Sequence, residues 1–398
     1  MILRRIAGLR YAVDVDDGIG HQPPAGGAPQ TSLAGRAFGL AIRRVKGARK
    51  QALRGVKRAQ YLYRRIKTAE KSLYFRLRDS DTGRVLLRAA SMARSPREIR
   101  HRTRVAAPYL AKLAGTSQPF IDPHTGYSLL SLDAGDLGHA LSTCRQLFEF
   151  KQAGIDERLS GFEGWTRERR EKFLAQKQSF LRYLLDDEDL RLHPEIVDLA
   201  LSDRLLGPAT RYLGVVPYLS RVDLMYSLPR GAGDNIESQL FHLDHEGVTQ
   251  VKAFIHLFDV GDREGPFTFI PANATTRIVN DIRRLRKQRG ASTDVEVRRY
   301  SDEEIAAVGG TKDIVTVKGP AGTGVAVDTS RCLHLGSRVD EGTFRLCLYI
   351  QYCTTHELTN VFEVARFEND PVRHLAVKHS VEPGRALATD YTHKIMGG

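Results

Sequence analysis

Two short segments of this chain contain side chains that could bind a metal ion. His242 and Asp244 are separated by one residue, and His334 follows 92 residues after His242. If the first segment is extended, residues two apart point to the same side and present an imidazole and a carboxylate to one point in space. Two imidazoles and one carboxylate on one face of a metal ion leave three positions open, which is the arrangement of non-haem Fe(II) oxygenases. The His-x-Asp pair alone is weak evidence, because it arises by chance in many chains.

An arginine near His334 is placed to bind a carboxylate. Arg345 follows His334 by eleven residues, and the intervening segment 340–342 has the Asp-Glu-Gly composition of a tight turn. A hairpin centred there predicts that Arg345 lies opposite His334. A guanidinium at that point can bind a carboxylate with two parallel hydrogen bonds, as an oxo-acid cosubstrate that chelates the metal requires. The predicted strand 344–352 alternates in polarity, and Arg345 lies on the face that is polar enough to line a cavity.

Four other residues near these segments have open or structural interpretations. Lys252 could face the same cavity, or it could equally be a solvated lysine, because the phase of its strand is not fixed by the sequence. We interpret His245 and His256 as structural residues close to the metal-binding segment. Cys347 is interpreted as a small buried residue without a redox role.

The elements that must position these side chains change in type along the chain. Helical patterns come first, over 136–150, 166–185 and 193–214. Short β-branched or aromatic runs bounded by Gly, Pro and Asp then predict strands over 251–258, 267–270, 314–317, 324–327 and 344–352. Helices followed by strands predict an α+β domain with a sheet sandwich or barrel. Residues 275–312 interrupt the strands with a basic helix and an acidic one, and are predicted to be an insertion.

The chain resembles the phytanoyl-CoA dioxygenase family of Fe(II)/2-oxoglutarate-dependent oxygenases over roughly residues 126–353. The resemblance is carried by the pair His242 and Asp244, by the sequence GPFTFIPAN over 265–273, and by His334 followed eleven residues later by Arg345. It implies a double-stranded β-helix, or jelly-roll, core flanked by helices. It also implies Fe(II) on the two histidines and Asp244, 2-oxoglutarate held by Arg345, and O2 as the further reactant.

Two positions depart from the family pattern. Ala-Asn-Ala stands at 272–274, where the family commonly has Gly-Ser-His, and Gly336 stands two residues past the distal histidine, where the family usually has a serine. The predicted hydroxyl contact to 2-oxoglutarate therefore moves to Ser337, and Lys252 is the other candidate contact. The resemblance implies hydroxylation, or a related oxidation, of a C–H bond in an organic small-molecule or lipid-like substrate, with release of succinate and CO2.

The formal net charge of +13 is distributed unevenly along the chain. Residues 36–112 contain 23 Lys and Arg but four Asp and Glu, whereas residues 113–398 contain 34 and 40. Apolar residues recur at helical spacing from residue 36, with cations on the opposite face, and predict a basic helical N-terminal extension over 36–115. An alternative main function is therefore binding of a polyanion, either nucleic acid or an anionic membrane surface, through 36–112. A solvated or partner-packed helix is the other interpretation.

Composition and segment boundaries limit the remaining possibilities. With 41% hydrophobic and 27% charged residues, the chain is not a disordered, collagen-like or disulfide-scaffold protein. We predict a flexible segment over 1–35, the oxygenase domain over 116–360 and a C-terminal segment over 361–398. Four cysteines without CxxC spacing, no export signal and no long apolar run predict a cytoplasmic protein, with peripheral membrane contact as an option. The sequence leaves the oligomeric state open.

Overall fold

The structure, a computed structural model, describes residues 80–378 together with Tyr74 and Leu77, with gaps at 94, 133, 161–165, 175, 231–233, 245–247, 292–297 and 355–359. The predictions for 1–35, for most of 36–79 and for 379–398 lie outside the described residues, as does His245. The elements follow in this order: α1 (Asp81–Met92), α2 (Pro96–Lys112), β1 (Tyr127–Ser131), α3 (Ala134–Ser160), α4 (Arg167–Leu174), β2 (Leu181–Tyr183), α5 (Asp187–Leu192), α6 (Pro194–Ala200), α7 (Asp203–Leu213), β3 (Tyr218–Ser227), β4 (Gln250–His256), β5 (Phe267–Ile270), α8 (Ala272–Gln288), α9 (Asp302–Ala307), β6 (Val315–Val317), β7 (Thr323–Val327), β8 (Leu333–Leu335), β9 (Arg345–Cys353) and α10 (Pro371–Val377).

The strands in the described part of the chain form two antiparallel sheets. Six strands are ordered β1-β7-β4-β9-β3-β2, and three are ordered β6-β5-β8. Every residue of the central strands β4 and β9 is buried. The predicted alternation of 344–352 is confirmed, because Leu346 and Leu348 pack into one hydrophobic cluster while Cys347 and Tyr349 pack into another. The mixture of helices and antiparallel sheets also confirms the predicted α+β class.

The two sheets face each other across a shared core. The ring of Phe254 in β4 stacks on that of Phe267 in β5, with centroids 4.5 Å apart and planes 22° apart. Val325 and Val327 of β7 belong to the same buried cluster as Phe269 of β5. A side chain on the inner face of either sheet therefore points into the space between the sheets, and such side chains from both sheets can converge on one site.

The predicted helix over 166–185 is wrong in its second half. Helix α4 ends at Leu174, and residues 181–183 form β2, with Leu181 opposite Ser227 on β3. Phe180 and Leu181 are buried in the cluster between the sheets, so tertiary packing overrides the helical pattern. The single helix predicted over 193–214 is two helices, α6 and α7, which are separated at residues 201–202; its predicted end at Gly214 is confirmed, since this residue caps α7 in the left-handed conformation with φ +69°.

The segment predicted as an insertion packs directly behind the metal-binding segments. Its two helices are α8 and α9, and Arg286 of α8 pairs with Glu304 of α9 at 2.6 Å. Ile282 of α8 is completely buried in a cluster that also contains Phe241 and Leu333, the residues that precede His242 and His334. The segment 275–312 thus supports the backbone from which both histidines project.

In the described part of the basic extension, one arginine is buried and makes hydrogen bonds inside the protein. Arg102 of α2 is 0% exposed, donates to Glu98 at 2.8 Å and to the carbonyl oxygens of Val216 at 3.0 Å and Leu375 at 2.8 Å, and lies over the Tyr218 ring. This residue is therefore not available to a polyanion. No helix in the described residues has both the length and the hydropathy that crossing a bilayer requires. The domain boundaries stay predictions.

Replacing Arg102 by alanine is expected to lower the free energy of unfolding by about 3 kcal/mol, because the change removes the cation paired with Glu98 and the donor to three carbonyl oxygens, those of Val216, Pro217 and Leu375. Urea denaturation measures this difference. Arg104→Ala, two residues along the same helix and exposed, is the matched control and should stay within about 0.5 kcal/mol of the parent. Equal losses in the two variants would show that Arg102 is not a structural cation.

Candidate metal centre

The three predicted metal ligands come together between the sheets. His242 and His334 exchange two backbone hydrogen bonds of 2.8 and 2.9 Å, and their ring centroids are 4.3 Å apart. The Asp244 carboxylate lies 3.7 Å from Nε2 of His242 and 3.4 Å from Nε2 of His334. All three ligand atoms lie within 4.8 Å of one another, so this group could hold a metal ion.

Both histidines present the nitrogen that a metal ion needs. Nδ1 of His242 lies 2.9 Å from the carbonyl oxygen of Leu240, and Nδ1 of His334 lies 3.0 Å from that of Cys332. A carbonyl oxygen only accepts hydrogen bonds, so Nδ1 of each ring carries a proton, and Nε2, on the side of Asp244, is the nitrogen that can bind a metal ion when the ring is neutral. Two Nε2 lone pairs and a carboxylate are a suitable donor set for Fe(II) or a similar divalent metal ion.

The charges in the centre favour the states that bind a metal ion. Burial, reinforced by His334 and Arg299, holds the pKa of His242 well below its ordinary value, so the ring is neutral near neutral pH. Burial alone would raise the pKa of Asp244, but the Lys252 ammonium and His334 outweigh it and hold this pKa well below the ordinary range. A neutral imidazole and an ionised carboxylate are both ready to coordinate without first losing a proton.

Lys252 faces the metal centre and not the solvent, a choice that the sequence alone left open. Its Nζ lies 2.7 Å from Oδ2 of Asp244, and its side chain is 6% exposed. The ammonium holds the carboxylate in place and also occupies one of the two oxygens that a metal ion could use. Lys252 therefore contacts a metal ligand, whereas a contact to 2-oxoglutarate stays a prediction.

Replacing Lys252 by methionine is expected to destabilise the metal-free protein by about 3 kcal/mol, because the largely buried carboxylate of Asp244 loses its counter-charge. Added Mn(II) should then raise the melting temperature of this variant more than that of the parent, since the cation replaces the missing ammonium. Lys318→Met is the control, because its pair with Asp262 is exposed and contributes at most about 1 kcal/mol. A Lys252 variant as stable as the parent, with the same response to Mn(II), would contradict this role.

Arg345 lies fully inside the same space with an incompletely neutralised charge. Arg345 is 1% exposed. Its guanidinium donates a hydrogen bond to the carbonyl oxygen of Gly265 and contacts the hydroxyls of Ser227 and Ser337 at 3.4 Å each. No carboxylate among the described residues pairs with it, and its Nε has no hydrogen-bond partner there. A buried guanidinium surrounded by neutral groups is suited to bind an anionic ligand.

Two small residues on the chain after His334 make room for this guanidinium. A Cβ on Gly336 would lie 3.2 Å from Nη2 of Arg345, so glycine allows the guanidinium to lie against the backbone. Ser337 adopts a left-handed φ of +62°, which turns its hydroxyl to within 2.9 Å of Ser227 and 3.4 Å of Arg345. The predicted hydroxyl is thus beside the predicted arginine, although its contact to 2-oxoglutarate stays a prediction.

The predicted hairpin that would place Arg345 opposite His334 is wrong. Strand β8 pairs with β5 in the smaller sheet, whereas β9 pairs with β3 and β4 in the larger one. The turn residues between them carry the chain from one sheet to the other. Arg345 reaches the neighbourhood of His334 across the space between the facing sheets, and not from a neighbouring strand.

Some functional groups were not recognised from the sequence. Ser227 lies directly opposite Arg345 in the register of β3 and β9, and only this pairing reveals its place beside the guanidinium. Phe267 lies against His334 with ring centroids 5.5 Å apart, and it occurs in the quoted GPFTFIPAN sequence, which was a usable signal. The backbone carbonyls of Leu240 and Cys332 have no sequence signature at all.

No protein-family model and no curated protein matches this chain. Solved structures similar to it include EctD from S. alaskensis with 2-oxoglutarate and 5-hydroxyectoine (16% identity, TM-score 0.36, 62% of this chain and 84% of that one). Others are SnoN, a non-haem α-ketoglutarate-dependent epimerase from nogalamycin biosynthesis (18%, 0.33, 62% and 82%), and HygX from Streptomyces hygroscopicus with nickel and 2-oxoglutarate (15%, 0.32, 61% and 90%). At these identities and TM-scores the similarity assigns this chain neither a fold nor a reaction.

Proposed function

We propose that this protein is a non-haem Fe(II)- and 2-oxoglutarate-dependent oxygenase with a double-stranded β-helix core. One observation carries the proposal: a His-Asp-His group with two available Nε2 atoms occurs in the same buried space as a guanidinium that lacks a carboxylate partner among the described residues. The His-Asp-His group alone, or the buried guanidinium alone, has a structural explanation. Together they are the two binding elements that a metal-chelating oxo acid with a second carboxylate requires.

The spacing of the two elements suits a short dicarboxylate. His334 would bind the metal ion at one end of the site. Gly336, two residues further along the chain, contacts Arg345 at the other end. Two residues of extended chain span about 7 Å. A molecule with an oxo-acid group at the metal and a carboxylate at Arg345 therefore fits the size of 2-oxoglutarate better than that of a long-chain acid.

This chain's own residues orient the reactants and exclude water. His242, Asp244 and His334 would hold Fe(II), Lys252 keeps Asp244 ionised and oriented, and Arg345 with Ser337 would hold the distal carboxylate. Fe(II) bound there supplies, with 2-oxoglutarate and O2, the oxidation of a substrate C–H bond with release of succinate and CO2. Phe254 and Phe267 stack on each other, and Phe267 also lies against the His334 ring, so they place apolar surface beside the centre, where a low local dielectric strengthens polar contacts.

The finer parts of the proposal concern family, substrate and location. We propose membership of the phytanoyl-CoA dioxygenase family, hydroxylation as the reaction, an organic small molecule or lipid-like compound as the substrate, and the cytoplasm as the location. The test is incubation of the protein with Fe(II), O2, 2-oxoglutarate and fractions of cell extract, with succinate formation and mass spectrometry as readouts. We expect one fraction to stimulate succinate formation and to contain a product with one additional oxygen atom. Stimulated turnover with a different mass change would contradict hydroxylation, and no turnover in any fraction would contradict the enzyme class.

A further inference from the structure

A buried histidine lies next to Arg345 with no internal partner. His256 is the last residue of β4 and is 0% exposed, and neither of its ring nitrogens has a hydrogen-bond partner among the described residues. Burying an imidazole without a hydrogen bond costs free energy, so an unpartnered buried ring calls for an explanation. The sequence suggested a structural residue, but a structural histidine would bond to the protein around it.

The strand register places His256 beside the guanidinium. His256 lies directly opposite Cys347 on β9, and Arg345 is two residues before Cys347. Directly opposed residues share a face, and alternate residues of one strand share that face too, so His256 and Arg345 are diagonal neighbours on the inner side of the sheet. Three buried nitrogen atoms in this corner therefore lack a partner among the described residues: Nδ1 and Nε2 of His256 and Nε of Arg345.

The ring is neutral in this position. Burial, reinforced by the charge of Arg345, lowers the pKa of His256 to about 4. At neutral pH one ring nitrogen carries a proton and can donate it, while the positive charge of the corner remains on Arg345.

We propose that His256 is a second binding residue for the distal carboxylate of 2-oxoglutarate, donating one N–H to that carboxylate beside Arg345. This inference rests on the proposed function. A carboxylate has about four lone-pair sites, enough to accept from both side chains at once. The ligand thereby satisfies donors that the protein leaves unpaired, and the corner discriminates against oxo acids that lack a second carboxylate.

The test is the dissociation constant of 2-oxoglutarate, measured anaerobically on the Fe(II)-loaded full-length protein. H256L should weaken binding about 10- to 100-fold, because a hydrogen bond to a charged group is lost. Affinity for Fe(II) should not change, since Lys252, which contacts the metal ligand, is four residues away on the strand, about 13 Å. Asn places an amide N–H near the position of Nδ1, and Gln places one near that of Nε2. We therefore expect either H256N or H256Q to bind 2-oxoglutarate at least about threefold more tightly than H256L does. The variant that does so identifies the donating nitrogen.

The outcomes separate this inference from the proposed function. If the parent protein binds no 2-oxoglutarate, the proposed function fails and this inference fails with it. If the parent binds 2-oxoglutarate and Arg345→Met weakens binding while the three His256 variants bind as the parent does, only the role of His256 is overturned. Equal weakening in H256L, H256N and H256Q, or parallel loss of Fe(II) affinity, would show a packing role and also overturn it. H256N and H256Q keep the test decisive if H256L does not fold.

Discussion

Replacing His334 by alanine is expected to weaken Fe(II) binding by more than about 100-fold and to abolish succinate formation from 2-oxoglutarate. Loss of even an outer partner of a metal ligand typically costs 10- to 100-fold in affinity, and this change removes the ligand itself. Only His242 and Asp244 would remain, and a divalent ion held by two side chains exchanges readily with water. Asp244→Asn, which keeps the shape of the side chain but removes its charge, should have the same effect.

The measurement is an anaerobic Fe(II) titration followed by a succinate assay on the same samples. His124→Ala is the matched control, because His124 is an exposed histidine outside the centre and should bind Fe(II) as the parent does. Melting temperatures establish that each variant is folded. Undiminished Fe(II) affinity in both His334→Ala and Asp244→Asn would place the metal elsewhere in the chain.

Replacing Arg345 by methionine is expected to raise the dissociation constant of 2-oxoglutarate by about 100-fold or more while Fe(II) still binds. Charge-assisted hydrogen bonds contribute about 1.5 to 3 kcal/mol each, and a guanidinium can make two to one carboxylate. The metal ligands lie on other segments and keep their positions, so the loss should be confined to the cosubstrate.

The same variant has an unusual prediction for stability. Arg345 is buried without a carboxylate partner among the described residues, and burial of such a charge costs several kcal/mol. Arg345→Met should therefore be at least as stable as the parent in the absence of ligand, whereas 2-oxoglutarate with Mn(II) should raise the melting temperature of the parent more than that of the variant. A strongly destabilised variant with unchanged 2-oxoglutarate affinity would mean that Arg345 is a structural residue. Lys at this position retains the charge but not the planar fork and should recover part of the affinity.

The sequence predicts the residues that come together at this site better than it predicts the strands that carry them. His242, Asp244, His334 and Arg345 could be found because their residue types are those that bind metal ions and carboxylates, and the structure places all four around one space. The turn residues at 340–342 could not reveal that the flanking strands belong to different sheets, because turn composition encodes a change of direction and not the identity of the pairing strand.

Strand phase and strand register account for most of what the sequence could not provide. The orientation of Lys252 depends on the pairing of β4 with β9, and the position of Ser227 beside Arg345 depends on the pairing of β3 with β9; each pairing joins segments about 100 residues apart. The same applies to β2, whose residues have a helical pattern but are held in the sheet by β3. The sequence favours a structural role for His256. Only the folded chain shows that neither of its ring nitrogens has a hydrogen-bond partner among the described residues.

We propose that one buried space between the two sheets binds a metal ion and 2-oxoglutarate together. The most direct measurement is calorimetric titration of 2-oxoglutarate into the full-length protein, with and without saturating Mn(II) as a redox-inert substitute for Fe(II). We expect one 2-oxoglutarate per chain to bind when the metal is present, and much weaker binding in its absence. Binding of equal strength with and without the metal, or no binding in either case, would contradict it.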